Sequence, residues 1–97
     1  MFELLSADTP NGKKVSILLE ELGLQYKVTK INIYKGDQFK PSFSKISPFN
    51  KIPVLKDLKT KKYIFESGAI LIYLGEKYKK FYNKKDQLKI LQWLMAQ

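Results

Sequence analysis

The stretch NKIPVLKDLKTKKYIFESGAILIYL, residues 50–74, contains the signals of two short strands followed directly by a helix. Pro53 marks the start of the first strand, because proline has no amide hydrogen for a sheet ladder and is confined to strand starts and edges. The polar segment LKTKK then turns the chain into the second strand, YIFE at 63–66. An aliphatic run with helical spacing predicts a helix from Ser67 to Lys77. The stretch therefore predicts a hairpin that leads into a helix.

The residues before this stretch predict two more strands and two helices. FELLSA, residues 2–7, is a short apolar run that ends at the turn-prone DTPNG. From Lys13 the apolar residues recur on one helical face, and Gly23 is a typical helix stop. QYKVTKINI, residues 25–33, alternates as a strand does, and a short helix is predicted at Ser42–Ile46. The predicted order is β-α-β-α-β-β-α, an α/β fold.

The last segment, NKKDQLKILQWLMAQ at 83–97, predicts the beginning of one more helix. This helix is amphipathic, and no other segment of the chain is an obvious cover for its apolar face. It reaches WLMAQ without the glycine, proline or basic last turn that usually ends a helix. We therefore expect the chain to be cut inside a larger architecture.

Composition limits the classes of protein that the chain can represent. Its 97 residues suit a single domain, and 44% hydrophobic residues allow a packed core. Cysteine and histidine are absent, which excludes a disulfide framework, a catalytic triad and the usual metal sites, so no metal is expected. No apolar run reaches the length of a membrane span, and the first residues do not form a secretory signal. We expect a cytoplasmic protein that does not insert into membranes.

The net charge of +9 comes entirely from lysine. Recognition of base edges and phosphates relies on the bidentate guanidinium of arginine, and this chain contains no arginine. The lysines are also scattered along the sequence. We interpret the charge mainly as a solvated surface, with an acidic partner as the alternative, and we do not expect nucleic-acid binding.

Two positions in the opening stretch are candidates for a binding site. If the Ile52–Pro53 bond is cis, the backbone N–H and C=O of Ile52 are left for an outside partner. An ordinary trans proline at a strand start is the alternative. Ser67 could simply cap the helix, whereas a carboxylate at Glu66, next to an apolar helix, should seek water or a partner. A ligand with an α-amino acid group would use both Glu66 and Ser67. Its carboxylate would bind the helix N-terminus and the Ser67 hydroxyl, and its ammonium would pair with Glu66.

A third candidate lies in TPNGKK, where the turn delivers the chain into the first helix. A plain Asn11–Gly12 turn is the alternative interpretation. Thr9 and Asn11 would lie near the positive backbone amides of a helix N-terminus, where a thiolate is stabilised. Since the chain has no cysteine, that thiol would have to come from a ligand.

Three segments together resemble a known family: TPNGKKVSILLEELGLQY, ISPFNKIPVL and FESGAILIYL. Over residues 2–97 the chain resembles the N-terminal, thioredoxin-like domain of cytosolic glutathione transferases, most of all the bacterial nu class and the fungal nitrogen-regulator relatives. The resemblance implies a thioredoxin-like domain with a mixed four-stranded sheet at residues 1–80. It implies that residues 81–97 are a linker and the first helix of a truncated, all-helical C-terminal domain.

The resemblance also implies which residues bind glutathione, the expected cosubstrate. Glu66 and Ser67 would hold its γ-glutamyl end, and the backbone of Ile52 beside cis-Pro53 would pair with its cysteinyl part. Lys51 would approach the glycyl carboxylate or the backbone near it.

Further implied roles concern the reaction. Gln38 would approach the glycyl end together with Lys51. Thr9 and Asn11 would orient the glutathione sulfur. In this class the chemistry is thiol–disulfide exchange and peroxide reduction more than conjugation to an electrophile. A homodimer is expected for the full-length form. The competing hypothesis is a non-catalytic binding or regulatory module with the same fold.

The resemblance predicts one further feature of the last helix. Trp93, Leu94 and Met95 would face the helices of the C-terminal domain and would be exposed in this chain. Exposed together, these three side chains would form an apolar patch prone to association.

Overall fold

The computed structural model describes all residues, 1–97, and contains four strands and four α-helices. In chain order they are β1 (Phe2–Ser6), α1 (Pro10–Glu21), β2 (Tyr26–Lys30), α2 (Pro41–Ser44), β3 (Val54–Asp57), β4 (Lys62–Phe65), α3 (Ser67–Tyr78) and α4 (Gln87–Met95). Two single-turn 3₁₀ helices, Ile33–Lys35 and Asp37–Phe39, lie between β2 and α2.

The strands form one mixed sheet in the order β2-β1-β3-β4. β1 runs parallel to β2 and antiparallel to β3, and β3 runs antiparallel to β4. Leu4 marks the register, since it lies opposite Val28 on one side and Leu55 on the other. The expected mixed four-stranded β-α-β-α-β-β-α domain of thioredoxin type is confirmed.

The core lies between one face of the sheet and the helices α1 and α3. Alternate residues of β1 are buried, and apolar residues one helical turn apart on α1 and α3 meet them, as strand and helix periodicity require. Each member of this core is at most 3% exposed: Phe2, Leu4, Val15, Leu19, Leu55, Ile70 and Leu74.

Helix α1 begins at Pro10, three residues before the predicted start at Lys13. Thr9 is its N-cap, and its Oγ1 accepts a hydrogen bond from the Gly12 amide at 3.1 Å. Proline suits the first helical position because the missing N–H has no acceptor there in any case. Gly12 permits close approach to the end of β1, since a Cβ at this position would lie 2.6 Å from the carbonyl oxygen of Ala7, the residue that follows the strand.

Strand β2 ends at Lys30, whereas the alternating pattern predicted a strand up to Ile33. The shortening has a local cause in Asn32. Its amide donates to the Asp37 carboxylate at 3.0 Å, and its side-chain oxygen accepts from the Lys35 amide at 3.2 Å. These side-chain bonds compete with the sheet ladder and turn the chain into the first 3₁₀ helix.

Helix α4 folds back over α1 and α3. The prediction that Trp93, Leu94 and Met95 are all exposed is therefore wrong for Leu94. Leu94 is half-buried and lines an apolar groove of about 200 Å³ together with Leu18 and Leu71. Trp93 and Met95 are 77% and 66% exposed. Because successive helical residues point about 100° apart, three neighbours in sequence do not share one face.

The polar junction 79–86 separates α3 from α4, and a domain boundary at residue 80 stays a prediction. No helix combines the length and the hydrophobicity that a membrane span needs.

Candidate functional site

The N-termini of α1 and α3 meet the loop before β3 around a cavity of about 120 Å³. Seven residues line the cavity: Asn11, Ser47, Lys51, Ile52, Pro53, Glu66 and Ser67. All except Ile52 and Pro53 have polar or charged side chains. Six of these seven were predicted from the sequence, and Ser47 was not.

The loop 47–53 is shaped by the buried side chain of Ser47. The Ser47 hydroxyl donates to the carbonyl oxygen of Lys51 at 2.7 Å and accepts from the Lys51 amide at 3.2 Å. The Ile52–Pro53 peptide bond is cis, and Pro53 is buried. The N–H and C=O of Ile52 make no hydrogen bond within the chain, so they are available to a ligand that pairs like a strand.

Glu66, not Ser67, is the N-cap of α3, so the alternative interpretation of Ser67 as the helix cap is wrong. The first bond of α3 runs from the Ile70 amide to the Glu66 carbonyl at 3.0 Å, which places Glu66 in the capping position. Ser67 is the first helical residue, is 8% exposed and makes no side-chain hydrogen bond within the chain. Its hydroxyl and the orphan amides of the first turn are therefore available to an anionic group.

The backbone of Glu66 is strained, with φ 73° and ψ 119°. A residue with a Cβ rarely adopts this conformation, which costs on the order of 1–3 kcal/mol. The Glu66 carboxylate is exposed and forms no ion pair or hydrogen bond within the chain. Strain at a charged residue without a partner suggests that the position is kept for a ligand.

The α1 side of the cavity contains Asn11, whose Oδ1 accepts a hydrogen bond from Lys14 Nζ at 2.9 Å. Thr9 does not line the cavity. Its oxygen caps α1, and its hydroxyl hydrogen is free to donate. Of the two predicted sulfur-orienting residues, the structure brings only Asn11 to the cavity wall.

Gln38 also lies outside the cavity, in the second 3₁₀ helix. It is joined to the site loop through Asn50, whose Nδ2 donates to the Gln38 carbonyl at 2.9 Å and to Ser44 Oγ at 2.6 Å. Gln38 Oε1 is buried without a hydrogen-bond partner. Sequence reasoning missed Asn50 and Ser47, although Ser–Pro and a loop asparagine are turn signals that could have identified both.

Charge and hydrogen-bonding capacity in the cavity indicate the kind of ligand that fits. Lys51 provides a cation and Glu66 an anion, and neither is paired within the chain. Between them lie the unpaired backbone groups of Ile52 and the amides at the start of α3. No cluster of three metal-ligating side chains is present in the chain. This arrangement suits an extended, zwitterionic peptide with carboxylates at its ends.

Comparison with known proteins gives consistent matches. Residues 9–77 match the family model described as glutathione S-transferase, N-terminal domain. The disulfide-bond oxidoreductase YfcG of Escherichia coli K12 is 43% identical over 104 aligned residues, which cover 100% of this chain and 48% of that protein. Protein URE2 of Candida glabrata is 40% identical, over 91% of this chain and 27% of that protein.

Solved structures agree with these sequence matches. The crystal structure of a glutathione transferase from Pseudomonas putida, with one glutathione disulfide bound per subunit, superposes with a TM-score of 0.90 at 43% identity. It is matched over 97% of this chain and 44% of that chain. Ure2p in complex with glutathione superposes with a TM-score of 0.85 at 36% identity, over 96% of this chain and 43% of that chain. The chain thus spans about half the length, or less, of the relatives that it matches.

Proposed function

The chain belongs to the glutathione S-transferase family, whose N-terminal domain it contains, and from this premise we propose that it binds glutathione and activates its thiol for disulfide reduction. One observation supports the binding step above all. The cavity brings together an unpaired carboxylate, an unpaired ammonium, a free backbone amide–carbonyl pair and a helix N-terminus. Glutathione offers a complementary group to each of them.

The γ-glutamyl end of glutathione is held at the start of α3. Its carboxylate accepts hydrogen bonds from the Ser67 hydroxyl and the first amides of the helix, where the helix dipole also favours negative charge. Its ammonium pairs with the Glu66 carboxylate. Each interaction has at least one ionised partner and so exceeds a hydrogen bond between neutral groups in strength.

The remaining peptide lies along the loop before β3. The cysteinyl residue pairs with the N–H and C=O of Ile52 beside Pro53, in the manner of an added strand. The glycyl carboxylate is attracted by Lys51. Gln38 contributes to this end through the Asn50 bond that holds the site loop, and a direct contact of its side chain stays a prediction.

Thr9 and Asn11 favour the thiolate form of the bound cysteinyl thiol. Asn11, on the cavity wall, donates a hydrogen bond to sulfur, and the N-terminus of α1 adds positive potential. A second donation, from the free hydroxyl hydrogen of Thr9 just outside the cavity, stays a prediction. Neither residue is a general base, because neither accepts a proton at neutral pH. They lower the pKa of the thiol and so raise the fraction of the nucleophile.

The reaction that follows is thiol–disulfide exchange. The glutathione thiolate attacks one sulfur of a disulfide RSSR, forms the mixed disulfide GS–SR, and releases RS⁻, which takes up a proton. A second glutathione thiolate attacks the glutathione sulfur of GS–SR, forms glutathione disulfide and releases the second thiol. Two glutathiones are oxidised by one electron each, and the substrate disulfide is reduced by two.

The relatives support this reaction type. The similar E. coli protein is named a disulfide-bond oxidoreductase, and the similar Pseudomonas structure holds glutathione disulfide. Peroxides and electrophilic carbon compounds are further substrates that the same thiolate could attack. The reaction needs reduced glutathione, so we place the protein in the cytoplasm, and we propose a homodimer for the full-length form.

A calorimetric titration with glutathione and with glutathione disulfide tests the binding step. We expect saturable binding by the wild-type chain, its loss in Glu66→Ala, and its retention in Glu76→Ala. Glu76 is the matched control because it is an exposed glutamate near the far end of α3. No binding by a wild-type chain whose circular dichroism is native would refute the proposal.

Turnover then separates the enzyme from its alternative. Glutathione-dependent reduction of a small disulfide, followed through the glutathione disulfide formed, is expected for the enzyme. Binding without turnover would favour the non-catalytic module.

A further inference from the structure

Lys14 is linked to the cavity through the side chain of Asn11, at the end where the glutathione sulfur is proposed to lie. Its Nζ donates to Asn11 Oδ1 at 2.9 Å, three residues earlier on α1. The same Nζ also contacts Gln97 Oε1, beyond the end of α4. Asn11 is the residue of α1 that lines the cavity, so Lys14 lies directly behind the only wall residue that this helix provides.

The Lys14 contact determines which end of the Asn11 amide is available. An asparagine side chain can present either a carbonyl oxygen or an NH₂ group to a ligand. An ammonium has three donors and no acceptor, so Lys14 can bond only the oxygen. With Oδ1 engaged, the NH₂ group is the end left to serve a ligand. A thiolate accepts hydrogen bonds and would be repelled by a carbonyl oxygen, so this orientation is the productive one.

The charge of Lys14 acts in the same direction. The charged groups that line the cavity are Lys51 and Glu66, which lie on the β3 loop and at the start of α3. Lys13, the lysine immediately before Lys14 on α1, is exposed and pairs with Asp8 at 3.2 Å. Lys14 is thus the lysine hydrogen-bonded to a cavity side chain, and its positive charge favours an anion beside Asn11.

We infer that Lys14 is a positioning residue for thiol activation: it holds the Asn11 amide with its N–H groups available to the glutathione sulfur. The inference rests on the proposed function. It assigns Lys14 no contact with glutathione, so its effect falls on the protonation and reactivity of the thiol, while binding of the peptide depends on other residues.

The test compares Lys14→Met with Lys14→Arg, and uses Lys13→Met as the matched control. The thiol pKa of bound glutathione is measured from the ultraviolet absorbance of the thiolate against pH. We expect Lys14→Met to raise this pKa by about 0.5–1 unit and to lower kcat/KM at neutral pH by roughly 3- to 10-fold. Arginine can also donate to Oδ1 while keeping the charge, so Lys14→Arg should stay within about twofold of wild type.

Binding of S-methylglutathione, which has no ionisable thiol, distinguishes positioning from general damage. We expect its affinity to change less than about twofold in Lys14→Met. If Lys14→Met does not fold, Lys14→Ala replaces it as the neutral variant, because alanine cannot donate to Oδ1 and is the best helix former.

Three outcomes would overturn the inference. An unchanged thiol pKa and turnover in the folded neutral variant would overturn it and leave the proposed function intact. An equal change of thiol pKa and kcat/KM in Lys13→Met would show that Lys14 acts only through the general positive charge of the surface. Absence of glutathione binding by the folded wild-type chain would overturn both the inference and the proposed function.

Discussion

The Ser47 hydroxyl closes the site loop on itself, donating to the Lys51 carbonyl at 2.7 Å and accepting from the Lys51 amide at 3.2 Å. Ser47 is 2% exposed, and both of its hydrogen bonds to Lys51 are partly buried. One small buried side chain therefore determines where Lys51 and Ile52 lie relative to the helix N-termini.

Replacing Ser47 with alanine is expected to leave both of these backbone groups unpaired. We expect the free energy of unfolding to fall by about 1–3 kcal/mol and glutathione affinity to weaken. Urea denaturation and calorimetry measure the two effects. Ser16→Ala is the control, because that hydroxyl bonds the exposed Lys13 carbonyl within α1. Equal small losses in both variants would contradict the role given to Ser47.

Glu66→Gly is expected to separate stability from binding. Glycine adopts a positive φ without strain, so the variant should gain up to about 1 kcal/mol of unfolding free energy. It should at the same time lose glutathione binding, because the carboxylate is gone. Lys79→Gly is the matched control, since Lys79 has φ 53° at the opposite end of α3 and should gain stability with binding unchanged. A destabilised Glu66→Gly would argue against strain at this position.

Asn11→Ala and Ser67→Ala are expected to affect different kinetic parameters. Asn11 acts on the sulfur, so its loss should lower kcat by about tenfold with little change in KM for glutathione. Ser67 acts on the γ-glutamyl carboxylate, so its loss should raise KM by a similar factor and change kcat less. Steady-state kinetics with glutathione varied measures both. Similar small changes in both variants would remove this division of roles.

Asp57 connects the β3–β4 turn to α3 at the end of the sheet away from the cavity. Burial would raise the pKa of this carboxyl, but hydrogen bonds from the Tyr73 hydroxyl, the Lys59 amide, Lys77 and the Thr60 amide lower it to about 2. The Tyr73 bond is 2.6 Å long and the Lys77 bond 3.3 Å. The carboxylate is therefore expected to stabilise the fold in its charged form.

The consequence is a loss of stability in acid. An aspartate in the unfolded chain has a pKa near 3.8. The stability that the charged Asp57 carboxylate adds is therefore complete above that pH and is lost as the pH falls towards 2. We expect Asp57→Asn to remove about 2 kcal/mol at neutral pH and to flatten the pH dependence of unfolding between pH 5 and pH 2. Urea denaturation at several pH values measures this. Asp86→Asn, at an exposed position without side-chain hydrogen bonds, should leave the dependence unchanged.

Local signals predicted most of the fold because they depend on neighbours in the chain. The helical spacing around Val15 and Leu19 and the glycine stop at Gly23 identified α1, although Pro10 and the Thr9 cap moved its start. The alternation of β2 was over-extended, because the Asn32–Asp37 bond competes with the ladder and leaves no trace in hydrophobic periodicity.

The candidate site was predicted in part for the same reason. Glu66 stood out as a carboxylate beside an apolar helix, whereas its strained backbone and the displacement of Ser67 from the cap depend on how α3 joins β4. Ser47 and Asn50 were missed because their partners, the Lys51 backbone and the Gln38 carbonyl, give a hydrogen bond only when the loop is folded.

By itself, the sequence determined the element order, the absence of any thiol in the chain and most of the residues around the cavity, since these follow from composition, periodicity and motif. The tertiary structure alone decided that Asn11 and Ser67, 56 positions apart in the chain, line one cavity while Thr9 caps a helix and Gln38 lies outside it. It also decided that Leu94 turns inward while Trp93 stays exposed. The reason is that these hydrogen bonds and the packing against α1 and α3 depend on distances between residues far apart in the chain. The pattern of neighbouring residues gives no information about those distances.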